Sequence, residues 1–395
     1  MLETIRNSFK IPDLRRRIVF TLLMLVVFRF GAAIPVPFLS AEAMKAFLDA
    51  GSSMDLFNLF DTFTGGAFQN ATVLALGVSP YINASIIIQL LTVAIPALER
   101  LSKEGVEGRK KINKITRYVG IILAFVQGAG LYITLRNMAV TTGLNPITNP
   151  GALSFFVIVL TFTAGTAFIV WLGELITEKG LGNGISMIIF AGIVSRIPTA
   201  ISSVVRTNVF KGGSFSAMGT VWAVVILAVA ILAIALVVFF TDAERRIPVQ
   251  YAKRVVGRKM YGGQSTNIPI KVAAGGVMPI IFASSIATFP ATIAAFFPNK
   301  SGFWDWMLTN VFSPNSWPYA VVYLILIVAF SYFYTAIQYN PTEIANNLKN
   351  NGGFLPGFRP GKPTADFITK VMNKITLFGA FFLGVIAILP ILMGY

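Results

Sequence analysis

Long runs without Asp, Glu, Lys or Arg dominate the chain. A helix that crosses a bilayer needs about 20 largely apolar residues, and nine stretches approach or meet that length: roughly 18–37, 70–95, 118–135, 152–173, 183–204, 217–241, 272–294, 317–339 and 375–394. Two are interrupted by one charge each, Arg29 in the first and Arg196 in the fifth. The first is not a convincing cleavable signal peptide, because Arg29 breaks its apolar run and eight more spans follow. The pattern predicts an all-α, polytopic membrane protein with nine transmembrane helices.

The positive charges alternate with the spans. The N-terminus and the segments after spans 2, 4, 6 and 8 hold 25 of the 32 Lys and Arg, whereas those after spans 1, 3, 5 and 7 hold five. Lys and Arg are retained on the cytoplasmic side, so the N-terminus and the two long basic segments, 242–271 and 340–374, are expected to be cytoplasmic. Nine spans then leave the C-terminus outside, at Leu392-Met393-Gly394-Tyr395 with no polar tail, an ending that reads as truncated.

Composition narrows the chemistry. Of 395 residues 55% are hydrophobic and 12% charged, with a mean hydropathy of +0.73; a soluble domain has about 25% charged residues. His and Cys are both absent, which removes histidine acid–base chemistry, thiol nucleophiles and disulfides and the usual zinc ligands. The span interiors supply no Lys, Asp or Glu for a Ser-Lys or paired-carboxylate hydrolase, so neither an enzyme nor a cofactor is expected. The net charge of +16 follows the cytoplasmic loops and does not by itself imply nucleic-acid binding.

Three segments are not spans. Residues 54–63 place Leu56, Leu59, Phe60 and Phe63 at helical spacing but cover barely half a bilayer, and Gly65-Gly66 then frees the backbone before span 2. This reads as a short half-inserted helix, for which non-helical backbone at membrane depth needs protein or water around it; an interfacial amphipathic turn is the alternative. Residues 242–271 alternate Val249 and Tyr251 with polar neighbours and turn at Tyr261-Gly262-Gly263, as a protruding hairpin would. Residues 340–374 surround the run Phe354 to Gly361. Both basic segments are either ordinary positive-inside anchors or docking sites for an anionic partner such as RNA or an acidic protein surface.

An internal repeat relates the halves. Gly77 to Ile86 aligns with Gly276 to Ser285 at six of ten positions, an offset of 199 residues, and the predicted orientations of spans 2 and 7 make the two copies inverted across the membrane. Inverted repeats with Gly/Pro-interrupted spans point to a pathway between halves; chance similarity between spans in which Gly and Pro are common is the alternative. A small-solute transporter would line it with intramembrane acids, and the spans have none. A pore closed by apolar side chains that exclude water is the better match, with Val78 and Ile82, Ile185 and Ile189, each pair one helical turn apart, and Ile281, the repeat mate of Ile82, as candidates. Core or lipid-facing aliphatics are the alternative at each position. Arg29 is read as a helix-end anchor, and Arg196 as snorkelling from the end of span 5.

The chain resembles the SecY family, central subunits of bacterial protein-conducting translocons. The resemblance is carried by Gly77 to Leu91, Lys103-Glu104-Gly105 to Arg109-Lys110-Lys111, Trp171 to Glu174 through Gly182 to Ser186, Arg245-Arg246-Ile247, Tyr251 to Arg254, and Phe354 to Gly361. It implies a clamshell of two inverted halves, 1–216 and 217–395, hinged between spans 5 and 6. It implies a hydrophobic pore ring at Val78, Ile82, Ile185, Ile189 and Ile281, and a plug over 54–64 with Met54, Leu56, Phe57, Leu59, Phe60 and Phe63. A lateral gate is implied with Asn83 and Gln127, and with Ala273 where the family carries asparagine. The basic fingers, with Arg245, Arg246, Lys253, Arg254, Arg258, Lys259 and Arg359, would dock the SecA motor or the ribosome and its RNA. SecE and SecG are the implied neighbouring subunits, and signal peptides, secretory polypeptides and membrane lipids the implied ligands. The family's tenth span is missing, which leads us to expect an incomplete seal on one side. The implied function is translocation of unfolded polypeptides across, and lateral release of apolar segments into, the bacterial cytoplasmic membrane.

Overall fold

Hydrocarbon offers a backbone no hydrogen-bond partner but itself, so the apolar runs become helices. The computed structural model describes residues 9–49, 61, 64–142, 145–211, 214–215, 217–251, 254–256, 259–261, 265–273, 275–294, 302, 306–307, 310–311 and 316–393. It divides into two compact units, Met1–Thr207 with Thr288–Leu308, and Asn208–Ala287 with Thr309–Tyr395. The first contains α1 (Pro12–Gly31), α2 (Ala41–Asp49), α3 (Ser79–Ala94), α4 (Pro96–Lys103), α5 (Val106–Thr142), α6 (Ala152–Lys179) and α7 (Gly184–Val204). The second contains the short pair β1 (Phe210–Lys211) and β2 (Ser214–Phe215), then α8 (Ala217–Asp242), β3 (Glu244–Tyr251), β4 (Arg254–Val256), β5 (Lys259–Tyr261) and β6 (Ser265–Lys271). It continues with α9 (Met278–Ala294) as far as Ala287, α10 (Trp317–Gln338), α11 (Pro341–Asn350), β7 (Gly353–Phe354) and α12 (Lys362–Met393).

Among the described residues six helices are long and apolar enough to span a membrane: α5, α6, α7, α8, α10 and α12. A seventh span results if α3 and α4, bent by 101° at Ile95, are taken as one. The remaining two predicted spans are shorter or more charged. The 17-residue α9 is one, and α1, which carries Arg15, Arg16, Arg17 and Arg29 in 20 residues, is the other.

α6 is the spine of the first unit. Its buried positions recur every three or four residues, from Ile158 and Phe162 through Ile169 and Leu172 to Ile176, the signature of one helix face. The upper part packs with Phe68, Leu131, Leu135 and Ile147, the lower with Phe28, Leu74 and Ile188. Without a hydrophobic driving force between helices in lipid, small residues set how closely they approach. Gly165 of α6 lies against the Val73 carbonyl so tightly that a Cβ would overlap it.

Two expectations are corrected. Span 2 does not run from residue 70: the helix starts at Ser79, and residues 65–78 are turns apart from an isolated bridge residue, Thr72. The turns survive because they are buried and paired, with Val36 N–H donating to the Ala71 carbonyl at 2.9 Å and Val73 N–H to Ile34 at 3.0 Å. Second, residues 340–374 are not a loop. They form α11, β7 and the start of α12, and β7 joins β3, which already pairs with β6, in a three-stranded antiparallel sheet. Ile247, Val249, Ile270, Leu348, Leu355, Ile368 and Met372 make its core, so the two basic segments share one folded module. α12 has 32 residues, ~48 Å at 1.5 Å per residue, more than the ~30 Å hydrocarbon core; its first turns are therefore free to belong to that module.

α10 and α12 pack together in the second unit, around Ala283, Ala287, Tyr319, Tyr323, Ile327 and Leu383. α8 buries only Ala223 among its described residues and touches α12 through Phe240, stacked on Phe382 with centroids 3.5 Å apart.

Gly165→Ala should destabilise the first unit by about 1–3 kcal/mol, the cost of overpacking, whereas Gly128→Ala, where a Cβ meets Val159 at an ordinary 3.6 Å, should be neutral or slightly stabilising; thermal unfolding in detergent separates them. Val249→Ala, at a position 1% exposed, should loosen the sheet module by roughly 1–3 kcal/mol and speed limited proteolysis in both 244–271 and 353–361. Cleavage confined to one of them would contradict a shared core.

Candidate functional site

The repeated sequence folds the same way twice. Gly77 takes φ +57° and its N–H closes a turn on the Leu74 carbonyl at 2.9 Å; Gly276 takes φ +57° and its N–H closes on Ala273 at 2.9 Å. A left-handed φ is readily adopted only by glycine, which explains why this residue is kept in both copies. Helix follows at once, α3 from Ser79 and α9 from Met278, with Pro80 and Pro279 in the first turn, where a missing N–H costs nothing. The first helical bonds match too: Ile82 N–H to Val78 and Ile281 N–H to Val277. Ile82 and Ile281 therefore occupy equivalent positions, four residues past equivalent turns.

Four of the five candidate ring residues lie in the first unit, and they come together. Val78 belongs to the buried cluster with Leu74, Ile169, Leu172, Ile176 and Ile188, and Ile82, Ile185 and Ile189 pack at its margin, half-buried. α7 is held for this by Asn183, whose side-chain oxygen accepts the Ile185 and Ser186 N–H groups at 3.1 and 3.2 Å. Around α7, Ile188 is buried and Phe190 is 60% exposed, so Ile185 and Ile189 sit between a packed and an open face. Ile281, half-buried, belongs to the second unit.

The remaining candidates are more scattered. Asn83 on α3 and Gln127 on α5 are half-buried in the first unit, and Ala273 is half-buried in the turn before α9 in the second. Met54, Leu56, Phe57, Leu59, Phe60 and Phe63 lie outside the described residues. Arg245 and Arg246 are exposed on β3, and Arg359 is exposed on the connection between β7 and α12, so the shared sheet module carries all three. Arg246 is neutralised by Glu244 at 2.7 Å. Arg254 and Lys259 lie on the paired strands β4 and β5; Lys253 and Arg258 are outside the described residues.

The two arginines that interrupt spans are not idle anchors. Arg196 sits well inside α7 and forms an ion pair with Asp61, whose side chain is 3% exposed. In place of the expected snorkelling side chain, the guanidinium is engaged by a buried carboxylate. Arg196 Nη2 also donates to Gln69 Oε1 at 3.1 Å, and Asp61 Oδ1 accepts the Gln69 N–H at 2.8 Å. Arg29, in the last turn of α1, donates from Nη1 to the Gly65 carbonyl at 2.8 Å. Removing one partner of a buried ion pair costs about 3–5 kcal/mol. Asp61 lies outside the apolar spans, and its sequence signal is an acid four residues before the Gly65-Gly66 pair in a chain with arginines inside two spans, Arg29 and Arg196.

The four candidate ring residues of the first unit, Val78, Ile82, Ile185 and Ile189, are all aliphatic. The arrangement offers yielding aliphatic side chains at the edge of a packed cluster and a charge-tied turn beside them.

The SecY family model matches residues 72–395. The chain is 44% identical over 395 residues to the protein translocase subunit SecY of Streptomyces galbus, covering 99% of this chain and 89% of that one. It is 45% identical over 394 residues to the protein translocase subunit SecY of Bacillus subtilis, with the same coverage. Among solved structures it is similar to one described as "The structure of a protein conducting channel", with a TM-score of 0.59 at 18% identity over 94% of this chain and 84% of that one. It is also similar to Sec61 in the canine ribosome-channel complex from the endoplasmic reticulum, with a TM-score of 0.54 at 16% identity over 96% and 90%. The distant structures carry the fold and the close relatives carry the lineage: this chain belongs to the SecY family of protein translocase subunits.

Proposed function

We propose that this protein-conducting channel sits in the bacterial cytoplasmic membrane with its N-terminus cytoplasmic, and that Val78, Ile82, Ile185, Ile189 and Ile281 form its constriction. The observation that carries this reading is the meeting of four of them in one cluster, Val78 buried within it and Ile82, Ile185 and Ile189 half-buried at its margin, with Ile281 in the conformation of its repeat mate. A translocating chain carries charges that cost about 2.5–3.5 kcal/mol each at the centre of a bilayer. A thin apolar collar replaces that thick slab, and a dry aliphatic constriction excludes water and ions when no chain fills it.

The segment 54–64 acts as the plug on the outer side of the collar. Asn83 and Gln127 on one side and Ala273 on the other belong to a gate that opens sideways, so that a signal peptide's apolar stretch of about 7–15 residues can partition into lipid. Ala273 makes no side-chain hydrogen bond, which weakens the closed gate relative to an asparagine there. SecE and SecG are the expected neighbouring subunits. Driving work comes from the SecA motor or from elongation on a ribosome, docked at the sheet module through Arg245, Arg359 and the basic residues Lys253, Arg254, Arg258 and Lys259. A shared hydrophobic core holding Arg245 and Arg359 on one body supports a single docking surface.

A secretory chain arrested in transit should crosslink to photoreactive side chains placed at Ile82, Ile189 and Ile281 and not to one at the exposed Phe190; a uniform absence of adducts would remove the ring. Replacing Ile82, Ile185 and Ile189 together by Gly should raise resting ion conductance in reconstituted vesicles, and unchanged conductance would count against the collar.

Arg245→Glu and Arg359→Glu should each weaken SecA or ribosome binding by about tenfold in a salt-dependent way. Arg246→Glu should do less, because Glu244 already offsets that charge. Equal losses at all three would point to general electrostatics.

A further inference from the structure

We propose that the Asp61–Arg196 ion pair is a gating latch: it fastens the base of the plug segment to the ring-lining stripe of α7, and opening the channel requires its release. The inference rests on the plug reading of 54–64.

Three observations converge. Ile185, Ile189, Gly192 and Arg196 follow one another at spacings of four, three and four residues on α7, which makes them one helix face. Arg196 is two turns beyond Ile189, ~10 Å along the axis. The latch therefore stands on the stripe that supplies two ring residues. Next, Asp61 is the last acid of the 54–64 segment, and the turn behind it is folded around it. Its carbonyl accepts the Gly66 N–H at 2.9 Å and the Thr64 hydroxyl at 3.2 Å, and its carboxylate accepts the Gln69 N–H. The backbone of Gly65 presses on Gly192, where a Cβ would meet the Gly192 carbonyl at 2.9 Å. Third, Arg29 of α1 grips the same turn from another helix through the Gly65 carbonyl. The only two charges that interrupt the predicted spans thus hold one turn.

The physics suits a switch better than a brace. A buried ion pair adds little net stability over apolar packing, but leaving one partner unmatched is costly, so the pair specifies one position sharply. Its attraction falls steeply as the surroundings become wetter. Arg196 is 31% exposed while Asp61 is 3% exposed, which gives entering water a route to the cation first. Water admitted with a polypeptide would loosen the latch, and a dry channel would restore it.

Asp61→Asn and Arg196→Gln should each raise resting conductance by about tenfold or more, the population shift expected on losing one partner of such a pair, and should raise secretion of a reporter with a weakened signal peptide. Asp61→Glu should rescue in part, and the exchanged pair Asp61→Arg with Arg196→Asp should return conductance towards the wild-type value. Leaky single variants with no recovery in the exchanged pair would reduce Asp61 to a structural part and overturn the proposal. Because the chain has no cysteine, Asp61→Cys with Arg196→Cys can be bridged by a short reducible crosslinker. The bridged channel should secrete at least about tenfold less, with recovery on reduction, and normal secretion while bridged would overturn the latch even if the charge variants fold poorly. Deletion of 54–60 serves as the reference. A leaky deletion beside tight Asp61→Asn and Arg196→Gln channels sinks the latch alone, whereas a tight deletion sinks the plug reading and the latch with it.

Discussion

The first unit depends on how a non-helical backbone is accommodated beside apolar helices. Residues 65–78 turn repeatedly, and most are buried. In lipid such a stretch would leave peptide groups unpaired at several kcal/mol each. Here the partners come from outside the stretch as well as within it: Ile34 and Val36 pair with Val73 and Ala71, and the Thr72 hydroxyl returns to the Ala67 carbonyl. Gly165 on α6 makes the room. Given that accommodation, α3 can start at Ser79, and Val78 and Ile82 reach the cluster that α7 borders.

Charge serves the same segment. In a soluble protein Arg29 and Arg196 would pass as ordinary surface residues; in an apolar span each demands a partner. Both find theirs in the turn around Asp61 and Gly65. A channel needs a seal that holds without being permanent, and an apolar collar supplies this through the reluctance of water to enter. An ion pair adds what dispersion lacks, a dependence on hydration. In the proposed channel the two elements on α7 would be complementary, the collar responding to the size of what passes and the ion pair to the water that accompanies it.

In the second unit, segments about 100 residues apart in sequence share a core. β7 contributes only Gly353 and Phe354 to the sheet, yet with α11 and the first turns of α12 it encloses Ile247 and Val249. The membrane helices at either end of these segments are thereby connected through a folded body and not through slack chain. α12 contributes Ile368 and Met372 to that body's core and runs unbroken from Lys362 to Met393.

The sequence by itself determined the class, the positions of most of the apolar helices and the repeat, because transfer into hydrocarbon is decided by local runs of about 20 residues and a left-handed turn needs its glycine wherever it occurs. It also brought Val78, Ile82, Ile185 and Ile189 forward as candidates. It could not decide that residues 70–78 would refuse the helix, that 340–374 would fold onto 242–271, or that Arg196 would find Asp61 135 positions earlier in the chain. Those outcomes rest on contacts between residues far apart in sequence, where the cost of burying a charge or a peptide group is balanced by a partner that only the assembled structure brings within reach.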